Sequence, residues 1–184
     1  MNKNSQGFTL IELLLVVALM AISVGITGDI LISLIRSYNK SNVLNEIEQN
    51  ANFVSQKLIK ELRNADRIDE IDSTPGLMLN EVATQITFTN NSGEIIIYVV
   101  DTAPPDDGVM KMSVDGTESP LTVNEPPSGV SITCITGNEC FKLLSISPQV
   151  VQIGISIKQA GNPSNLVFTG DITIEDTVVV RETY

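Results

Sequence analysis

Histidine is absent from all 184 residues, which excludes a His general base, a catalytic triad built on His and any His-ligated metal site. Tryptophan is missing as well, and aromatic residues make up only 4% of the chain. Cysteine occurs twice, at Cys134 and Cys140, and two thiolates without a histidine cannot complete a structural zinc site of Cys and His ligands. A disulfide is the remaining strong reading, with a reactive or metal-binding pair as its alternative. Basic residues are scarce, 11 Lys and Arg against 22 Asp and Glu. Affinity for phosphate backbones comes largely from cations displacing counterions, so this balance, with no basic stripe to offset it, argues against nucleic acid as a partner. No nucleophile sits with a base, and there is no phosphate loop or spaced carboxylate pair, so no enzyme is expected.

What the chain does have is apolar residues, 42% of the total, enough for a membrane segment and one core of about 100–120 residues. The N-terminus reads Met1-Asn-Lys-Asn-Ser-Gln-Gly7, then Phe8-Thr-Leu-Ile-Glu12, then an uncharged run from Leu13 to Gly28. An ordinary signal peptide places its apolar region directly after a basic start and is cut beyond it, at small-x-small positions such as Ser23-Val24-Gly25. Here a carboxylate, Glu12, stands where the apolar residues should begin.

Gly7-Phe8-Thr9-Leu10-Ile11-Glu12 followed by an apolar stretch resembles the processing site of type IV pilins and of the pseudopilins of type II secretion. The resemblance implies that a membrane-embedded prepilin peptidase cuts between Gly7 and Phe8 on the cytoplasmic side, and that the new amine of Phe8 is N-methylated. Loss of Lys3 with that leader leaves ten basic residues against 22 acidic, a net charge of −12. It further implies a single-pass protein of the cytoplasmic (inner) membrane with its head outside the cytoplasm, later part of a periplasmic or cell-surface filament. Its partners would be other pilins or pseudopilins, the peptidase, an inner-membrane assembly platform and membrane lipid. The physical reading of Glu12 stands beside this: a carboxylate near the edge of the hydrocarbon is costly and needs a partner. The Phe8 amine of a neighbouring subunit is such a partner, and pairing would set the axial register of stacked helices. The plainer alternative is a signal anchor with a stray Glu at the interface.

Leu13 to Gly28 is 16 residues, about 24 Å of helix, short of the ~30 Å hydrocarbon core. The apolar pattern resumes beyond Asp29, through Ile30, Leu31, Ile32, Leu34 and Ile35, before Arg36 and Lys40 mark the watery side. Asp29 is then either solvated or held in a polar contact inside a filament. Gly25 and Gly28 weaken this stretch by roughly 1 kcal/mol each relative to Ala. From Val43 the apolar residues fall at Val43, Ile47, Ala51, Val54, Leu58, Leu62 and Ala65, in steps of 4, 4, 3, 4, 4 and 3. That is helical spacing with one stripe able to pack on a sheet. Together the two parts predict one nearly continuous helix from Phe8 to about Asp66, roughly 88 Å long.

Past Asp72-Ser73-Thr74-Pro75-Gly76 the apolar period becomes two. The pattern predicts a hairpin of 85–89 and 94–100, a strand 109–114 before an Asp115-Gly116 turn, strands 130–134 and 140–147 flanking residues 135–139, strands 149–158 and 166–174 paired across 160–163, and a last strand 177–181. The expected fold is α+β, a long N-terminal helix with its first half transmembrane, packed on an antiparallel β-sheet head in the manner of pilins. The domains are then a cleaved leader over 1–7, a transmembrane or filament-core helix over 8–35, an amphipathic second half over 36–66 and a β-rich head over 67–184. No cofactor is expected. Some pseudopilins bind calcium, which leaves the acidic loop from Asp101 to Gly108 as a calcium candidate against the alternative of a solvated loop.

Residues 56–65 also resemble the larger minor pilins and minor pseudopilins, and the head is large with several Pro-rich loops. The expected function is therefore a structural subunit, a minor pilin or pseudopilin, of a type IV pilus-like or type II secretion filament. A major pilin or competence pseudopilin is a near alternative, and a membrane-anchored surface binding protein or adhesin is the rival from another class. N-terminal peptide mass spectrometry of the mature protein is expected to find Phe8 as the first residue. A Gly7→Val chain should keep its leader, whereas recovery of a chain starting at Ile26 would remove the prepilin reading.

Overall fold

The computed structural model describes residues 8–71, 74–75, 77–101, 108–125, 129–135, 139–160 and 170–181. One helix, α1 (Leu10–Arg63), accounts for the first third of the chain. The first proline in the sequence is Pro75, so nothing before it forces a break, and Gly25 and Gly28 are both helical. The helix stops short of the Asp66 that the apolar spacing predicts. Lys60 and Arg63 place positive charge at its C-terminal end, where the helix dipole favours it. The Asn64 N–H then bonds back to the carbonyls of Lys60 and Glu61, and a strand begins at Ala65.

The chain forms two compact units, residues 1–42 and 43–184. In the first, every described residue is exposed, including Leu13, Leu19, Ile26 and Leu34, and no part of its most apolar window is buried. Two hydroxyls in this stretch are satisfied within the helix, Ser23 Oγ donating to the Leu19 carbonyl and Thr27 Oγ1 to that of Ser23, each at 2.8 Å. Hydroxyls bonded to the preceding turn need no water, which suits a helix surrounded by hydrocarbon.

In the second unit the helix buries Ile47, Ala51, Val54, Leu58 and Leu62, five of the seven positions marked by their spacing, while Val43 is partly buried. They belong to one apolar cluster with the inward side chains of two antiparallel sheets, among them Phe88, Tyr98, Phe141, Leu143 and Ile153. The first sheet contains β1 (Ala65–Ile71), β2 (Thr74–Pro75), β4 (Gln85–Asn90), β5 (Ile95–Asp101), β6 (Val109–Val114) and β7 (Thr117–Pro120) in the order β2-β1-β4-β5-β6-β7. The second runs β11-β10-β9-β3, from β3 (Val82–Ala83), β9 (Phe141–Ile146), β10 (Gln149–Gln159) and β11 (Asp171–Val179), with β8 (Val130–Cys134) also paired to β10.

The expected hairpin of the first sheet forms, and the expected turn after β6 leads into a further strand, β7. Asn90 Oδ1 accepts from the N–H groups of Ser92 and Glu94, closing the β4–β5 turn. Asp115 and Gly116 have φ of 47° and 83°, the two left-handed residues that a two-residue hairpin turn requires. The second sheet differs from expectation in two places. The strands expected at 166–174 and 177–181 are one strand, β11, paired with β10 from Val150↔Val179 to Lys158↔Asp171, and 166–169 lie outside the described residues. β8 and β9 do not form a hairpin. Each pairs antiparallel with β10, β8 along Ile155–Gln159 and β9 along Gln149–Ile153, so they lie end to end on one side of it.

One side chain ties the two sheets together. The Ile68 N–H donates to Gln149 Oε1 at 2.7 Å, and Gln149 Nε2 donates to the Ile68 carbonyl at 3.2 Å. Ile68 lies on β1 beside a register shift between Ile68 and Glu70, and the Gln149 amide acts there as a fragment of strand. Gln149 is itself buried, so its loss strands both backbone groups. In the same core the Tyr98 ring stacks on Phe88 with centroids 6.0 Å apart, and its hydroxyl has no hydrogen-bond partner among the described residues. Burial, with the charge of Glu61 second, pushes that phenol well above its usual range. Gln149→Ala is expected to destabilise the protein by about 2–3 kcal/mol, since two buried backbone groups lose their partners. Denaturant unfolding of the detergent-solubilised chain measures it, and a loss under about 0.5 kcal/mol would show that β1 does not depend on this side chain.

Candidate functional site

The residues around the expected processing site lead directly into α1. Gly7 and the rest of the expected leader lie outside the described residues, so Phe8 is the first position whose surroundings are defined. Phe8 is 79% exposed and precedes the helix, which starts at Leu10. Thr9 is the N-cap and Glu12 is the third helical residue. The Thr9 N–H donates to Glu12 Oε2 at 3.0 Å and the Thr9 hydroxyl donates to the same oxygen at 2.9 Å, while the Glu12 N–H reaches Thr9 Oγ1 at 3.4 Å.

This is a capping box, in which a Thr and the Glu three residues on satisfy each other's backbone donors. The expectation for Glu12 was a partner on a neighbouring chain, and the structure adds a partner within the chain. The signal is present in the sequence as Thr9-Leu-Ile-Glu12, the spacing of a helix start. The cap fixes where the helix begins and leaves Phe8 outside it. It also places negative charge in the first turn, where the helix dipole favours it.

Of the other residues singled out, Cys134 and Cys140 are joined in a disulfide with Cα atoms 4.5 Å apart. The strands that flank the bridge are not paired with each other, so it is a clip across an excursion. Cys134 ends β8 opposite Ile155, Cys140 precedes β9, which starts opposite Ile153, and residue 154 of β10 lies between. The Gly154 carbonyl accepts from Ile135 and its N–H donates to Cys140, so β10 continues across the gap.

For the loop named as a calcium candidate, 102–107 lie outside the described residues. At its ends the Gly108 N–H donates to the Asp101 carbonyl at 2.8 Å, and the Asp101 carboxylate pairs with Lys111 Nζ at 3.0 Å. Among the described residues no three Asp, Glu, Cys or His side chains gather as a metal site. On β1, Asp69 is engaged by Arg67 Nε at 2.6 Å and by the Thr89 hydroxyl. That carboxylate, accepting from the guanidinium, holds Arg67 above its usual range.

Residues 2–28 match the family model of the prokaryotic N-terminal methylation motif, the prepilin-type signal of type IV pilins and pseudopilins. No curated protein and no solved structure matches the chain. The matched segment contains Gly7, Phe8, the capping box and most of the exposed apolar half of α1, and it ends before the head begins.

Native protein alkylated without reductant is expected to show no free thiol. The Cys134→Ser, Cys140→Ser double variant should lose about 2 kcal/mol of stability, the chain-entropy value for so short a loop. Two alkylated cysteines in the native head would refute the bridge.

Proposed function

We propose that this chain is a minor pilin or pseudopilin, a structural subunit of a type IV pilus-like or type II secretion filament. The observation that carries the reading is the methylation motif over residues 2–28 continuing into a helix whose apolar residues the chain itself leaves uncovered. On this reading the peptidase cuts between Gly7 and Phe8, the Phe8 amine is methylated, and residues 8–35 hold the protein in the cytoplasmic membrane with the head outside. The assembly platform then transfers the helix from lipid into a bundle of like helices. The subunit works by packing, without turnover of its own, and its partners are other pilins or pseudopilins.

Glu12 is proposed to set the axial register. In the membrane its carboxylate is relieved by snorkelling and local thinning at a cost of a few kcal/mol. Among packed apolar helices that relief is gone. A buried unpaired charge costs several kcal/mol while a paired one roughly breaks even, so the offset that brings the Phe8 amine of a neighbour to Glu12 is selected. The capping box sharpens the test. Glu12→Gln keeps an oxygen able to accept from Thr9 and removes the charge, whereas Glu12→Leu removes both. Both variants are expected to be cleaved and inserted but to show a lower filament-to-membrane ratio than wild type in a strain with the native machinery. Wild-type incorporation of Glu12→Gln beside failure of Glu12→Leu would assign the role to the cap and not the charge. Wild-type incorporation of both would remove the register role.

A further inference from the structure

A second charge in the apolar half of α1 has no ion-pair partner among the described residues. Asp29 lies seven residues before Arg36, about 10.5 Å along the axis and within about 20° of the same face, too far for the two to pair in one helix. Both are exposed, and neither forms an ion pair among the described residues. Asp29 is also about 25 Å of helix from Glu12, so with Glu12 at one edge of a ~30 Å hydrocarbon layer Asp29 still falls inside it. An ionisable group there is expensive and calls for a named partner.

The spacing around Asp29 supplies one. Ala18, Ile22, Gly25, Asp29, Ile32 and Arg36 follow one another in steps of 4, 3, 4, 3 and 4, a heptad stripe of the kind that packs two helices along a seam. Ala18 and Gly25 keep the stripe low, and a Cβ added at Gly25 would meet nothing within 4 Å, so another backbone has room to approach. Copies of one membrane protein insert the same way round, so their helices run parallel. With no axial offset, such a seam sets Asp29 against Asp29 and Arg36 against Arg36. An offset of seven residues maps the stripe onto itself, since seven is its period. It carries Ile22 to the level of Asp29 and Asp29 to the level of Arg36, and turns two repulsions into one attraction.

We infer that this stripe is a self-complementary docking surface for α1 of a second copy of this chain, shifted by one heptad and locked by an Asp29–Arg36 ion pair between copies. The inference rests on the filament reading above. It uses a different contact, because Glu12 lies about 100° round the helix from Asp29 and faces another neighbour. The shift also lifts the carboxylate of the displaced copy to the level of a guanidinium at the outer boundary, relieving the cost of its place in lipid.

The test uses the full chain in a strain with its native machinery. Cys134 and Cys140 are already bonded to each other, so single added cysteines are the free thiols. Asp29→Cys and Arg36→Cys chains bearing different tags, expressed together and oxidised, should give a mixed cross-linked dimer more strongly than either variant gives alone. A 29-to-29 dimer as strong as the mixed one, or no mixed dimer, overturns the inference. In parallel, Asp29→Lys and Arg36→Glu should each lower the filament-to-membrane ratio about tenfold, since each leaves an uncompensated charge, and the doubly reversed chain should recover it. Wild-type incorporation of the single variants, or no recovery in the double, also overturns it. Failure here while Glu12→Leu still blocks incorporation leaves the filament reading standing. Failure of both, with the chain confined to the membrane, removes that reading as well.

Discussion

The apolar surface of the first half of α1, bare among the described residues, has to be covered. Leu10, Leu14, Ile22, Ile30 and Leu34 are each more than half exposed, a continuous band far larger than the patches that soluble monomers tolerate. Lipid covers such a band without specificity, because hydrocarbon tails are as apolar as leucine. Specificity must then come from small residues that let backbones approach and from the few polar groups that lipid accommodates badly. In this segment the charged ones are Glu12 and Asp29, Ser33 is milder, and the Ser23 and Thr27 hydroxyls are already satisfied by their own turn. Under the proposed function, the same physics that suits the segment to lipid makes its two carboxylates the points at which one neighbour differs from another.

The second half of the helix is held on other terms. Its stripe from Ile47 to Leu62 is buried by two sheets, and those sheets are joined through the core and by the Gln149 amide on Ile68. An apolar cluster sets few distances by itself, whereas two hydrogen bonds to one backbone position do. The disulfide acts similarly beside the middle of β10, where it closes the excursion between β8 and β9 while β10 carries the ladder past it.

The helix stripe, the β4–β5 hairpin and the Asp115-Gly116 turn were legible because their periods and turn residues are undisturbed. β1 was not, for a physical reason. Its register shifts twice against β4, between Ala65 and Arg67 and again between Ile68 and Glu70, so its buried residues are Ala65, Ile68 and Ile71. Steps of three in a bulged strand look like helix, and the apolar spacing ran on past Arg63 accordingly. β11 was divided at Glu175-Asp176, which resembles a polar turn. In the sheet Asp176 sits opposite Ile153 on the core-facing side of an edge strand, where a carboxylate still reaches water and discourages pairing with another chain. The end-to-end β8 and β9 were out of reach for another reason, since alternation shows which residues face inward and not which strand lies beside them.

Under the proposed function one carboxylate at the N-terminus would serve two roles without conflict. Both Thr9 donors fall on Oε2 of Glu12, and Oε1 accepts no hydrogen bond among the described residues. A carboxylate has lone pairs for several donors, so the cap leaves capacity for an amine. The cap also fixes the side chain against its own helix, and a neighbour's amine then meets an acceptor already in place instead of one that must be ordered on contact. Under the proposed function Thr9 is therefore more than the start of a helix. It holds Glu12 in the membrane, where no partner is at hand, in the same arrangement that the filament would use.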